Sequence, residues 1–246
     1  ELKRNTVEEV YSQILDDLLE AERLYQSLPT DQQWQANWRT SLPMVQLLLS
    51  RVYLYMEQWE KAATYANNVI QNENFRLLDL KTIDFNPDSP SYINYHSYTN
   101  STEVIWVYGS MNDVTHYVYN ISAGKEGRPF FRASEELMKS FDETAGDLRK
   151  DRYIIRSSYE ITNANNEVEA MPSAFGKVNV SSSRYYQPTA GTGIFSRSFR
   201  LSEAYLNFCE ANAMLNKSGN ANAGTEALRL LNELRTYRFP SDYQEK

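Results

Sequence analysis

Apolar residues recur at helical spacing at both ends of this chain and lose that spacing over much of its middle. Thr6 followed three residues later by Glu9 forms a capping box, and Val10, Ile14, Leu18, Ala21 and Tyr25 then fall on one helical stripe until Leu28-Pro29 stops it. A polar loop holding Trp34 and Trp38 follows. The Thr40-Ser41 pair offers an N-cap and Pro43 suits a first-turn position, opening an apolar helix through Met44, Leu47, Leu48, Val52 and Leu54. Glu57-Gln58 turns the chain, and a partner helix is expected from about Trp59 to Ile70, with Ala62, Ala66 and Val69 facing back onto its neighbour.

From about Asp79 to Arg132 the composition shifts to Asn, Ser, Pro and Tyr with no sustained helical period. Only Glu103 to Tyr108, β-branched and aromatic-rich and followed by Gly109, reads as a strand. Ser134 is placed to cap a short helix through Leu137 and Phe141, ending near Gly146, and Tyr153-Ile154-Ile155 suggests another short strand. Residues 157–196 read as a long irregular stretch. Helix is expected to return at about Arg197 and to run through Phe199, Ala204, Phe208, Cys209, Ala211 and Leu215. A Lys217–Asn220 turn follows, then a partner over 221–238 whose apolar side includes Leu228, Leu231 and Leu234.

The two helical regions share a pattern. Ser50, Tyr53, Ala62, Ala66 and Val69 in the first correspond in spacing to Ala211, Met214, Ala223, Ala227 and Leu230 in the second. Small residues at these intervals let two antiparallel helices approach closely, the signature of a tetratricopeptide-type hairpin. The expected fold is mainly α: tetratricopeptide-like hairpins of an α-α superhelix, with a long loop-rich insertion containing short β-strands. Residues 1–78 are read as a helical hairpin scaffold, 79–196 as a loop-rich ligand-binding half and 197–239 as a second helical hairpin, within one domain. A long irregular stretch inside a compact domain either counts against the assignment or marks function, and the matching flanks favour function.

Composition narrows the partners. A formal net charge of −7 over 246 residues argues against a nucleic-acid binder, whose affinity comes from a basic surface. No run of about 18 apolar residues is present to span a bilayer. The single cysteine, Cys209, lies in an apolar helical stretch and reads as a small buried hydrophobe. The opening on Glu1, without an initiator Met, is read as that of a fragment or processed chain. The chain holds 18 Tyr against 10 Phe, a balance that suits surfaces needing a flat apolar face with a polar tip.

Taken together, three segments resemble one family. VYSQILDDLLEAERLYQSLP is followed after a loop by LLLSRVYLYMEQWEKAATYANNVI. FRASEELMKSFDETAGDLRKDRY carries an Asp-Leu-Arg turn at Asp147 to Arg149. FRLSEAYLNFCEANAMLNKSGN with LRLLNELRTYR carries Arg200, Glu203, Tyr205 and Leu206, then Leu231, Asn232 and Arg235. In order and spacing they are similar to the SusD-like (RagB/SusD) nutrient-binding lipoproteins of the bacterial outer membrane, over the central part of that family's pattern.

The resemblance implies a tetratricopeptide-like scaffold and a loop-rich half that captures oligosaccharide, or another nutrient, at the cell surface. It also implies delivery to a SusC-like TonB-dependent transporter, no catalytic activity and no cofactor. The family's outer-membrane lipid anchor lies on a segment absent from this chain. The family's binding aromatics come from variable loops, so none transfers by position.

Sugar rings offer apolar C–H faces that stack on Trp and Tyr, while their hydroxyls bond Asn, Asp, Arg and Gln. Tyr92, Tyr95 and Tyr98, at three-residue intervals with His96 beside them, form the preferred platform. Tyr185 and Tyr186, next to Arg184 and Gln187, form a second. The competing reading of each is loop packing against the scaffold. Of Trp34 and Trp38, one is expected to pin the loop, and Trp34 is taken as the ligand candidate. Trp106 alternates with Ile105 and Val107 and leans toward the core. Arg149, Arg200 and Arg235 read as structural, and Arg200 with Glu203 as an ordinary surface pair. His96 and His116 stand too far apart for a zinc site, Asp84, Asp88 and Asp113 lack calcium-loop spacing, and Gly124-Lys125-Glu126-Gly127 lacks phosphate-loop spacing. The rival readings are a helical-repeat adaptor that binds a peptide or protein partner and, behind it, a glycoside hydrolase.

Overall fold

The capping box at the start of the first helix forms as expected: Glu9 N donates to Thr6 Oγ1 at 3.1 Å and Thr6 N to Glu9 Oε2 at 2.8 Å. The computed structural model describes residues 4–83, 101–108, 134–143, 146–153, 156–162, 168–174 and 197–242. It is mainly helical, with a few short strands. The chain divides into two compact units, one of residues 1–77, 102–107 and 198–234, the other of 78–101, 108–197 and 235–246.

In the first unit, α1 (Val7–Gln26) packs on α2 (Leu42–Tyr55), α2 on α3 (Trp59–Ile70), and α3 on α6 (Leu201–Lys217), which is followed by α7 (Ala221–Thr236). α1 covers Leu18, Ala21 and Tyr25 of its apolar stripe and leaves its first two positions, Val10 and Ile14, exposed. Tyr11, Leu15, Leu18 and Tyr25 are half-buried around the buried Glu22. The carboxylate of Glu22 lies on the inward side and accepts hydrogen bonds from Gln46 of α2 and Tyr65 of α3.

The matched small residues do what close packing requires. Ser50, Ala62, Ala66, Val69 and Ala211 are fully buried, and Ala223, Ala227 and Leu230 nearly so. Ser50 Oγ donates to Ala62 O at 3.0 Å across the first hairpin, and Asn207 Nδ2 of α6 reaches Ser50 Oγ at 3.3 Å. In the second hairpin Cys209 Sγ meets Ala227 O at 3.2 Å. Burial pushes the Cys209 thiol up to about 11, so it stays protonated and packs as the hydrophobe expected of it. Leu228 departs from expectation. The inward line runs through Ala223, Ala227, Leu230 and Leu234, and Leu228, one residue off it, is exposed.

Both hairpins turn through a Schellman motif. After α6, Asn220 N bonds Leu215 O and Gly219 N bonds Asn216 O, with Gly219 at φ 104°. After α2, Gln58 N bonds Tyr53 O and Glu57 N bonds Leu54 O, but the left-handed residue is Glu57 at φ 56°. A side chain there is strained by roughly 1 kcal/mol, and a glycine would relieve it at some cost in unfolded-chain entropy. Glu57→Gly is therefore expected to stabilise by about 0.5 kcal/mol, and Gly219→Ala to destabilise by about 1 kcal/mol. Chemical denaturation of the two variants checks the opposite signs; equal signs would refute the assignment.

Ser41 occupies the N-cap of α2 without a side-chain capping bond, and Pro43 in the first turn has no N–H to offer it. Two short strands, β1 (Val104–Tyr108) and β4 (Arg197–Arg200), pair as a ribbon, and Leu201 N bonds Glu103 O at 2.9 Å. Helix thus resumes at Leu201 and not at Arg197. Arg200 is its extended N-cap at φ −132°.

The second unit holds α4 (Glu135–Glu143), with Leu137 N bonded to Ser134 Oγ, and α5 (Arg149–Tyr153). Asp147 starts α5 by accepting from Arg149 N at 3.0 Å, so Tyr153 ends a helical turn where a strand was expected. The stretch after it is not wholly irregular either. β2 (Arg156–Thr162) and β3 (Val168–Ala174) pair antiparallel, from Arg156 opposite Ala174 to Thr162 opposite Val168. Such a ribbon is held by backbone bonds and needs no alternation of apolar residues, which is why the sequence concealed it. Around buried Leu80 and Phe239, Leu80 N bonds Tyr237 O, Leu148 N bonds Arg238 O, and the Arg238 guanidinium bonds Leu78 O.

Candidate ligand-binding site

The connector between α1 and α2 carries the exposed Trp38. It is tightly fastened. Leu42 N bonds Gln33 O at 3.0 Å, Gln33 Nε2 bonds Leu28 O at 3.1 Å, and Val107 N of β1 bonds Asn37 O at 2.7 Å. Arg39 N closes a turn onto Ala36 O at 3.0 Å, with Asn37 and Trp38 at its corner. Trp34 is half-buried and meets Phe75 edge-on at 5.5 Å, its Nε1 shut away from solvent. Trp38, at 49% exposure, faces outward. Trp34 is therefore the residue that pins the loop.

A second cluster surrounds the β1–β4 ribbon. Arg51 of α2 forks onto Glu203 of α6 at 2.6 and 2.8 Å, lies 4.4 Å above the Phe199 ring of β4, and Phe199 meets Trp106 of β1 edge-on at 5.3 Å. Glu203 thus answers Arg51 and not Arg200. Arg200 is extended and outside the helix, so the three-residue spacing brings no helical neighbour relation. Arg149 forks onto Asp147 in its own turn, at 2.6 Å between Nη2 and Oδ2, and serves as a fastening as expected. Trp106 is half-buried.

Tyr92, Tyr95, Tyr98, Tyr185 and Tyr186 lie outside the described residues, as do His96, His116, Asp84, Asp88 and Asp113. Among the described residues no group of three His, Cys, Asp or Glu is placed to hold a metal ion, and no helix is long and apolar enough to cross a membrane. What the described site offers a ligand is an exposed indole, amide and guanidinium donors on a fixed loop, and the half-buried Trp34 and Trp106 rings. This is chemistry for stacking and hydrogen bonding.

No protein-family model matches the chain, and no curated protein matches it in sequence. Solved structures do. A SusD-like carbohydrate binding protein from Bacteroides vulgatus ATCC 8482 superposes with a TM-score of 0.66 at 23% identity, over 98% of this chain and 46% of that one. The chain has the SusD-like fold. A SusD superfamily protein from Bacteroides thetaiotaomicron VPI-5482 gives a TM-score of 0.66 at 24% identity, over 97% of this chain and 49% of its own. Another, from Bacteroides fragilis NCTC 9343, gives 0.54 at 19% identity, over 99% of this chain and 54% of its own. The chain spans about half the length of these SusD-like structures.

Proposed function

We propose that the protein is a member of the SusD-like family and captures glycan at the outer-membrane surface for a TonB-dependent transporter of the SusC type, without catalysing a reaction. The observation that carries this reading is the match of nearly the whole chain to a carbohydrate binding protein of the same fold. Two fastened helical hairpins form a rigid frame, and rigid frames that present loops suit recognition. The proposed ligand contacts are Tyr92, Tyr95, Tyr98, Tyr185 and Tyr186, while Trp34, the remaining candidate from the sequence, is taken up in holding its loop against Phe75. Residues 79–196 form the proposed ligand-binding half, and a lipid anchor would hold the protein at the membrane.

Stacked rings contribute roughly 1 kcal/mol apiece beyond burial, less the cost of ordering the ligand, which places affinity between micromolar and millimolar. Calorimetric titration with oligosaccharides carried to millimolar concentration is expected to saturate, with no release of reducing sugar. Loss of binding on changing Tyr92, Tyr95 or Tyr98 to Ala supports their assignment. Release of reducing sugar would overturn the non-catalytic reading, and binding of a peptide ligand in place of every sugar would make the chain an adaptor.

A further inference from the structure

We propose that Trp38 is a stacking platform for a pyranose ring, with Gln35 and Arg39 as its polar rim, an inference that rests on the glycan-capture reading. Tryptophan is seldom left half exposed, because its ring gains more from burial than any other side chain. Here the partner indole four residues earlier is the buried one. Trp34 seats against Phe75, and Asn37, adjacent to Trp38, is 3% exposed with its carbonyl bonded to Val107 N at 2.7 Å. These contacts hold the corner of the Ala36–Arg39 turn in place while leaving the Trp38 ring open at 49% exposure. A ligand meeting it finds the backbone of the turn already ordered, so little backbone entropy is lost on binding.

The residues that flank Trp38 in the chain narrow the ligand class. Arg39 Nη1 donates to Gln35 Oε1 at 3.0 Å, which orients the exposed Gln35 amide and leaves its N–H groups and the rest of the guanidinium fork as donors. An exposed flat apolar face in a turn whose flanking residues carry donors matches a sugar ring, whose C–H face stacks while its hydroxyls accept hydrogen bonds. A purely apolar ligand would leave the rim unused.

The test is calorimetric titration of the intact protein with maltoheptaose, cellohexaose, xylohexaose and mannohexaose, comparing wild type with Trp38→Ala, Trp38→Phe and the double variant Gln35→Ala/Arg39→Ala. Circular dichroism melting checks that each remains folded. Trp38→Ala is expected to weaken binding of the recognised sugar about tenfold, Trp38→Phe no more than about threefold, and the rim variant about threefold. Unchanged binding in a folded Trp38→Ala protein would overturn the platform while leaving glycan capture intact. Equal loss in the Phe and Ala variants would overturn stacking as the cause. No binding of any of the four sugars by wild type would overturn the capture reading and this assignment with it.

Discussion

Glu22→Ala is expected to destabilise the first helical unit by about 3 kcal/mol. Glu22 is a carboxylate on α1 with 8% exposure, and its oxygens are met by neutral donors from three directions: Tyr65 Oη at 2.9 Å, Gln46 Nε2 at 3.1 Å and Gln26 Nε2 at 3.2 Å. Removing it orphans the phenol and the buried Gln46 amide together. The phenol of Tyr65 is already committed to its neutral form, held there by burial first and by the Glu22 hydrogen bond second. Tyr53 stacks on Tyr65 at 5.5 Å and is pushed upward by burial and then by the same carboxylate, with Lys61 Nζ 4.9 Å from its ring. Denaturant titration of Glu22→Ala, Tyr65→Phe and the double variant measures the coupling. Strict additivity of the two single losses would show that the bond contributes nothing. Glu22→Gln keeps one acceptor and is expected to cost about half as much.

Arg51→Ala is expected to cost about 2 kcal/mol, a figure already reduced for the third of each side chain that solvent reaches. The guanidinium is doubly engaged, forking onto Glu203 and lying over Phe199. Its loss leaves Glu203 without this partner and frees the ribbon ring from its cation. Lysine reproduces the charge but not the fork, so Arg51→Lys should recover less than half of the loss. A double-mutant cycle with Glu203→Ala isolates the pair, and a coupling energy below about 0.3 kcal/mol would reduce it to a surface contact.

What could be read from the amino acids was whatever depends on neighbours along the chain. Thr6 and Glu9 announce their helix because both halves of the capping box lie within one turn. Ser50, Ala62 and Ala66 announce close helix approach because only small residues permit it. Glu203 found its partner 152 positions away on another helix, a distance at which no local spacing rule speaks. Glu22 was hidden by its own chemistry: a charged residue in an amphipathic helix reads as solvent-facing, and only Gln46 and Tyr65 reveal that it faces inward. For the site, the loop tryptophans were visible as a pair needing different roles. Which one is seated was decided by Phe75, on a remote segment.

The ribbon of β1 and β4 has an evolutionary corollary. In the sequence, residues 109–196 lie between β1 and β4, two strands that are hydrogen-bonded to each other. The entropy of closing such an excursion rises only slowly with its length. Substitution, lengthening or shortening there leaves the hairpin contacts of Ser50, Asn207 and Cys209 untouched. A lineage can therefore rewrite that stretch while keeping the helical hairpins, much as a tool changes bits in an unaltered chuck.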